Sequence, residues 1–171
     1  MNIEELEDCI TCYGKDVYAF CRQLTYNKED AEELYQDTFL MTMKKLAVIN
    51  RKENPKSYLL SVCLRLWKNK KRKYAWRQRI AGMESLTEEK NDIRHTKSLE
   101  ESVLEKEKQQ MVREAINCLD ERYRIPVYLY YLEELSLQEI AEILKIPKGT
   151  VKSRLHKARG LLKERLEREY E

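Results

Sequence analysis

Apolar residues recur every three or four positions along most of the chain, which is the period of an amphipathic α-helix. In residues 2–24 this spacing is unbroken and predicts one long helix. Asn27 is a suitable N-cap for a second helix that runs to about Ala47, because its side chain can accept a hydrogen bond from the first turn. Pro55 suits the start of a third helix that runs to about Arg79, since the N–H that proline lacks has no helical partner there.

The helical period is lost in residues 80–99, where Gly and polar residues interrupt it, and returns near Leu99. Four helical segments follow, the last three at residues 121–132, 137–144 and 148–169. Gly (4) and Pro (3) are scarce among the 171 residues and 37% are charged, which favours long helices over sheets. We therefore predict an all-α fold with a three- or four-helix domain at residues 1–79, a flexible linker at 80–99 and a second helical domain at 100–171.

Residues 136–159 have the pattern of a helix-turn-helix. Ser136, followed three residues later by Glu139, is a capping box that fixes the start of a short helix. A tight turn at residues 145–146 leads to Pro147 and a second helix. The apolar positions of both helices fall on one face each: Leu137, Ile140, Ala141 and Leu144 in the first, Val151, Leu155, Ala158 and Leu162 in the second.

The outward face of the second helix predicts DNA binding. A helix-turn-helix places such side chains in the major groove, where they can bond base edges and phosphates, and the N–H groups of the first turn suit a phosphate. A plain helical hairpin would explain the apolar spacing but not the positive charge. The candidate DNA-contacting residues here are Lys148, Thr150, Lys152, Ser153, His156, Lys157 and Arg159.

The net charge of +3 conceals two positively charged segments. Residues 51–79 carry eleven basic side chains and one acidic one, and residues 145–168 carry nine basic and two acidic. Residues 1–50 and 80–144 are net acidic. Two separated basic segments indicate two contacts with a polyanion, although solvated helix faces are the simpler alternative.

The five cysteines predict neither a disulfide framework nor a metal site. Cys9 and Cys12 form a CxxC, but no second CxxC or HxxxH completes a zinc set, and both lie in a helical apolar pattern that favours a core or partner-facing role. A thiol- or metal-dependent enzyme would also need a nucleophile, a base and an orienting group, which the sequence does not offer together. We expect no catalytic activity, no cofactor and no metal.

No apolar run reaches the roughly 18 residues that a membrane span needs. The first five residues include two glutamates and no basic residue, whereas a signal peptide begins with basic residues. The sequence therefore predicts a cytoplasmic protein.

Three segments resemble the conserved regions of bacterial sigma factors. Asp30–Phe39 resembles region 2.2, which docks on the clamp of RNA polymerase. Asn54–Leu60 and the basic helix after it are similar to regions 2.3 and 2.4, which read and melt the −10 promoter element. Residues 136–159 resemble region 4.2, which reads the −35 element. Their order, without regions 1.1 and 3, is that of the extracytoplasmic-function (ECF) group of the sigma-70 family.

The resemblance implies roles for particular residues. The loop at residues 49–56 would form a pocket for a flipped −10 base, and Tyr58 and Trp67 would either stack on bases or pack in the core. Where many family members have Ala-x-Asn, this chain has Cys63-Leu64-Arg65, so the −10 preference need not match theirs. The implied polymerase-binding residues are Glu32, Glu33, Gln36, Asp37 and Leu40. The implied −10 contacts are Asn54, Lys56, Tyr58, Arg65, Lys68, Asn69, Arg72, Lys73 and Trp76.

The implied partners are core RNA polymerase, promoter DNA and an anti-sigma factor linked to the membrane, with no small-molecule substrate and a monomer in the free state. The alternative is a stand-alone helix-turn-helix regulator that binds DNA as a dimer. That alternative gives the acidic helix at residues 28–47 no function.

Overall fold

The computed structural model describes residues 3–25, 27–45, 54–81 and 103–169. All regular secondary structure in these ranges is helical, which confirms the all-α prediction. The chain divides into two compact units, Met1–Arg94 and His95–Glu171. Most of the predicted linker at residues 80–99 and most of the predicted base pocket at 49–56 lie outside the described residues, so the boundaries at 79 and 100 stay predictions.

The described residues of the first unit form three helices, α1 (Ile3–Leu24), α2 (Lys28–Lys44) and α3 (Pro55–Ala81). Asn27 caps α2 as predicted, because its side chain accepts a hydrogen bond of 2.7 Å from the N–H of Asp30. The described part of α2 ends three residues before the predicted Ala47, and α3 continues two residues past Arg79.

The core of the first unit draws on the faces that the apolar spacing indicated. Its largest fully buried side chains include Phe20 of α1, Leu34 of α2 and Leu59 of α3. Burial of each such side chain contributes about 1.5–3 kcal/mol to stability. Trp67 is only 6% exposed, which decides in favour of packing for that residue, whereas Tyr58 is half-buried.

The second unit contains α4 (Val103–Asn117), α5 (Glu121–Val127), α6 (Leu137–Leu144) and α7 (Lys148–Glu169). The segment predicted as one helix over 121–132 leaves the α-helical pattern after Val127 and continues as a wider π-helical turn, Tyr128–Leu132. Pro126, inside α5, has no N–H for the i→i−4 ladder, and the wider turn begins two residues after it.

The helix-turn-helix is formed by α6 and α7. The predicted capping box is present: Ser136 Oγ accepts from the N–H of Glu139 at 3.2 Å, and the Glu139 carboxylate accepts from the N–H of Ser136 at 2.9 Å. Lys145 closes α6 in the left-handed conformation (φ 54°). The predicted inward positions of α6 and α7 are buried at Ile140, Ala141, Val151, Leu155 and Ala158 and half-buried at Leu137, Leu144 and Leu162.

Candidate functional site

The outward face of α2 is acidic with an exposed apolar edge. Glu32, Glu33 and Gln36 are exposed and Asp37 is half-buried. On the same helix Leu40 is 53% exposed and Met43 51% exposed, so two large apolar side chains lie in contact with solvent. Acidic and apolar groups together suit a partner surface that is basic around an apolar pocket.

Lys70 of α3 lies between two of these carboxylates. Its Nζ is 2.9 Å from Glu33 and 3.6 Å from Asp37. Lys70 belongs to the basic segment at residues 51–79, which predicted a contact with a polyanion, but here it joins α3 to the acidic face of α2. Periodicity and charge counts do not reveal a pair of residues more than thirty positions apart, so no sequence signal could have found this bridge.

The second half of α3 carries a basic and aromatic surface. Tyr74 and Trp76 are 63% and 64% exposed, which leaves their rings open to stacking. Lys71 lies over the ring of the buried Trp67, 4.7 Å from its centroid. The predicted −10 contacts that are exposed along α3 are Arg65, Lys68, Asn69, Arg72, Lys73 and Trp76, all but Arg65 in this half. Within this set Arg72 donates a hydrogen bond to the side chain of Asn69.

The predicted contacts at the start of α3 are engaged within the protein. Asn54 Oδ1 accepts from the N–H of Lys56 at 3.1 Å, so Asn54 helps to begin the helix. Lys56 Nζ is 2.9 Å from Asp16 of α1, and only 15% of the lysine side chain is exposed. A lysine held in this way fixes α3 against α1 and has little surface to offer a phosphate.

The outward face of α7 is as the spacing predicted, with one correction. Lys148, Lys152, Ser153, His156, Lys157 and Arg159 are exposed and Thr150 is half-buried. The N–H of Thr150, expected to be free for a phosphate, instead donates to the carbonyl of Pro147 at 2.9 Å, because the helix begins with a tight turn. Arg159 reaches the hydroxyl of Tyr131 at 3.5 Å.

The cysteines differ in environment. Cys9 is buried and Cys12 is exposed, although they are only three residues apart on α1. Within the ranges that the structure describes, no three or more His, Cys, Asp or Glu side chains lie together as metal ligands would. In the same ranges no helix has both the length and the apolarity for crossing a bilayer.

Comparison with known proteins assigns both units. Residues 9–77 match the family described as Sigma-70 region 2, and residues 109–162 match Sigma-70, region 4. The ECF RNA polymerase sigma factor SigW of Bacillus subtilis is 32% identical over 163 residues, which cover 93% of this chain and 87% of that protein. The chain is an ECF sigma factor. It therefore works with core RNA polymerase in promoter-specific initiation of transcription, and the stand-alone regulator has no support.

Further relatives agree with this assignment. RNA polymerase sigma factor SigV of Bacillus subtilis is 28% identical over 169 residues, covering 96% of this chain and 92% of that protein. The same fold is found in the sigma factor RpoE from Bartonella quintana, whose structure was solved in complex with the anti-sigma factor NepR. The TM-score is 0.78 at 23% identity, and the alignment covers 96% of this chain and 98% of that one. CnrH, solved in complex with the cytosolic domain of CnrY, has a TM-score of 0.68 at 16% identity, covering 97% and 90%.

The matched regions place the surfaces within the ECF sigma factor. The region 2 match contains the acidic face of α2 and the basic half of α3, and the region 4 match contains the helix-turn-helix. Each of the two basic segments thus belongs to a different region.

Proposed function

We propose that the two basic helices contact two different promoter elements: α3 captures and opens the −10 element, and α7 reads the −35 duplex. The observation that carries this proposal is the difference between the two surfaces. The exposed cations of α3 are interleaved with exposed aromatic rings, whereas those of α7 lie on the second helix of a helix-turn-helix.

The α3 surface suits a single strand. Taking a base out of the stack requires a few kcal/mol, and stacking on an aromatic side chain recovers about 1–3 kcal/mol per base. Tyr74 and Trp76 are exposed enough to stack, while Lys68, Arg72 and Lys73 supply charge for the backbone. Arg65 is exposed on the same helix and brings an additional cation to the −10 contact.

The α7 surface suits a duplex. The capping box sets the start of α6, Ile140 and Ala141 of α6 are buried, and α6 packs against α7, so the recognition helix has a fixed support. Lys152, Ser153 and His156 then face outward where base edges would lie, and Lys148, Lys157 and Arg159 are suited to phosphates.

The acidic face of α2 is the proposed polymerase surface. Glu32, Glu33, Gln36 and Asp37 supply polar and charged contacts, and Leu40 supplies an apolar one that is 53% exposed. A charged rim around an exposed apolar side chain is typical of protein–protein interfaces. The bridge from Lys70 holds two of the carboxylates in position.

We further propose that the free chain is a monomer in the cytoplasm, acts as an initiation factor rather than an enzyme, and is held inactive by a membrane-linked anti-sigma factor. RpoE was solved in complex with the anti-sigma factor NepR, and CnrH was solved in complex with the cytosolic domain of CnrY. The exposed surfaces of α2 and α7 are those that such a partner would need to cover.

Two variants separate polymerase binding from promoter reading. Replacement of both Gln36 and Asp37 by Ala should weaken binding to core RNA polymerase in gel filtration and in fluorescence titration. Lys157→Ala should leave holoenzyme formation unchanged but weaken binding to a −35 duplex and reduce the salt slope by about one counterion.

Matched controls remove the same kind of charge elsewhere. Glu7→Ala removes an exposed carboxylate from α1, and Lys163→Ala removes a lysine of α7 that is 75% exposed and 3.8 Å from Glu167. Both controls should behave like the unmodified protein. Normal transcription by both test variants would show that the assigned surfaces are wrong.

A further inference from the structure

Two thiols meet in the core of the first unit. The Sγ atoms of Cys21 on α1 and Cys63 on α3 are 3.4 Å apart, a distance at which either thiol can donate a hydrogen bond to the other. Both residues are fully buried at 0% exposure, and 42 positions separate them in the chain. Neither residue belongs to the proposed polymerase or promoter surfaces.

The surroundings of the two thiols favour the reduced state while α1 and α3 stay packed together. The hydrogen bond to Cys63 and then burial raise the pKa of the Cys21 thiol far above its usual value. Because the thiolate is the reactive form, a closed unit protects the pair from oxidants. Reaction requires that α1 and α3 separate locally, and such partial openings occur below the global unfolding free energy.

We propose that Cys21 and Cys63 are a site of reversible disulfide formation that links α1 to α3 in the presence of a low-molecular-weight disulfide. This proposal rests on the distance of 3.4 Å between the Sγ atoms of Cys21 and Cys63. Once one sulfur has reacted, the other lies beside it, so the second step is intramolecular and has a high effective concentration.

The exchange is balanced with oxidised glutathione as the oxidant. The thiolate of one cysteine attacks the glutathione disulfide, forming a protein–glutathione mixed disulfide and releasing one glutathione thiolate. The thiolate of the second cysteine then attacks the protein sulfur of that mixed disulfide and releases the other glutathione. Two protein thiols are oxidised to one disulfide, one glutathione disulfide is reduced, and the two protons pass to the two glutathione thiols.

The other cysteines provide internal controls. Cys12 and Cys118 are exposed and should react first, but only to mixed disulfides. Cys9 and Cys12 are three residues apart on one helix, where Cβ atoms lie about 5–6 Å apart. That separation exceeds the roughly 3.5–4.5 Å that a disulfide needs, so they should not close a bond.

The test is peptide mapping of the full chain after incubation with graded ratios of oxidised to reduced glutathione, acid quenching and alkylation. Trypsin places Cys21 in residues 16–22 and Cys63 in residues 57–65, each as the sole cysteine. We expect these two peptides to become cross-linked, to separate again on reduction, and to cross-link faster in low concentrations of urea. The oxidised chain should show a first-unit Tm higher by about 10 °C or more, since the bond closes a long loop.

Cys63→Ala and Cys21→Ala should abolish the cross-linked peptide and the rise in Tm. If either variant fails to fold, the mapping of the unmodified chain still decides. The proposal is overturned if Cys21 and Cys63 stay as thiols, or stop at mixed disulfides, at ratios and urea concentrations that fully modify Cys12 and Cys118.

Discussion

Ser136 is the N-cap of α6, and its replacement by alanine removes two of the three hydrogen bonds that join it to Glu139. The lost bonds are the one that Ser136 Oγ accepts from the N–H of Glu139, at 3.2 Å, and the one that it donates to the Glu139 carboxylate, at 2.8 Å. The bond from the Ser136 N–H to that carboxylate, at 2.9 Å, is retained. The substitution therefore changes the cap without changing the buried face of the helix.

The expected loss of stability follows from these contacts. Loss of an N-cap serine costs about 1 kcal/mol, within a range of roughly 0.5–2. An isolated helix of eight residues, the length of α6, is not stable. Loss of the cap should therefore lower the unfolding free energy of the whole second unit. A change of about 1 kcal/mol corresponds to a fall in Tm of roughly 4–8 °C for a unit of this size.

The assay is thermal unfolding of the full chain with amide hydrogen exchange to assign the change to the second unit. Ser136→Thr keeps the acceptor and should restore most of the Tm. Ser136→Asp should restore less, because a second carboxylate would face Glu139. The matched control is Ser61→Ala, which removes a hydroxyl that only donates to the carbonyl of Tyr58 within α3 and should change the unfolding free energy by less than about 0.5 kcal/mol.

DNA binding provides the second readout. A unit that loses about 1 kcal/mol from a typical stability of 5 kcal/mol or more stays folded at 25 °C, so affinity for a −35 duplex should change less than about twofold. Ser136→Ala with an unchanged Tm would show that the capping box does not stabilise the helix-turn-helix. A large loss of DNA affinity without a loss of stability would show that Ser136 contacts DNA.

Three further predictions concern the first unit and α7. A Cβ on Gly14 would lie 2.9 Å from the Tyr35 hydroxyl, whereas one on Gly160 would meet nothing within 4 Å. Gly160→Ala should therefore raise the unfolding free energy by about 0.5–1 kcal/mol, because alanine favours the helix, and Gly14→Ala should not. Equal gains for the two variants in denaturant unfolding would refute this. Trp67→Ala should lower the unfolding free energy by about 3–5 kcal/mol. Trp76→Ala should leave the unfolding free energy nearly unchanged and slow promoter opening, which a permanganate footprint measures. Normal opening by the Trp76→Ala variant would show that Trp76 is not part of the −10 surface. Lys70→Met should lower the unfolding free energy of the first unit by at most about 1 kcal/mol, because its partners Glu33 and Asp37 are partly exposed. This loss should be smaller in high salt. A loss that does not depend on salt would rule out the ion pairs as its cause.

Most helix starts could be predicted because local chemistry sets them. Asn27 and Ser136 carry capping side chains, and proline occupies the first turn of α3, so a few neighbouring residues determine where each helix begins. The buried faces followed from apolar spacing for the same reason. The π-helical turn after Val127 was missed, because the apolar period of residues 121–132 is compatible with a continuous α-helix.

The contacts between helices could not be predicted. Spacing shows which face of a helix is buried, but not which residue of another helix it meets. Lys70 with Glu33, Lys56 with Asp16, and Cys21 with Cys63 each join positions far apart in the chain. The family resemblance implied a DNA contact for Lys56, and Lys70 lies in the basic segment at residues 51–79. Only the packing of α3 against α1 and α2 shows that each lysine has a carboxylate partner.

The position of Trp67 illustrates the same limit. Its apolar neighbours favoured the core and its basic neighbours favoured DNA, so the sequence left both open. Its 6% exposure follows from how α3 is rotated against the other two helices. The residue-level assignments on the exposed half of α3 and on α7 stay predictions that binding and transcription measurements must test.

The most direct test of the account is transcription by core RNA polymerase on a library of promoter sequences, with and without the purified chain. The account predicts transcripts that appear only when the chain is added and that start downstream of shared −35 and −10 sequences. Their yield should fall when Lys157 or Trp76 is replaced by alanine. Core polymerase that gives the same transcripts in the presence and absence of the chain would contradict the account.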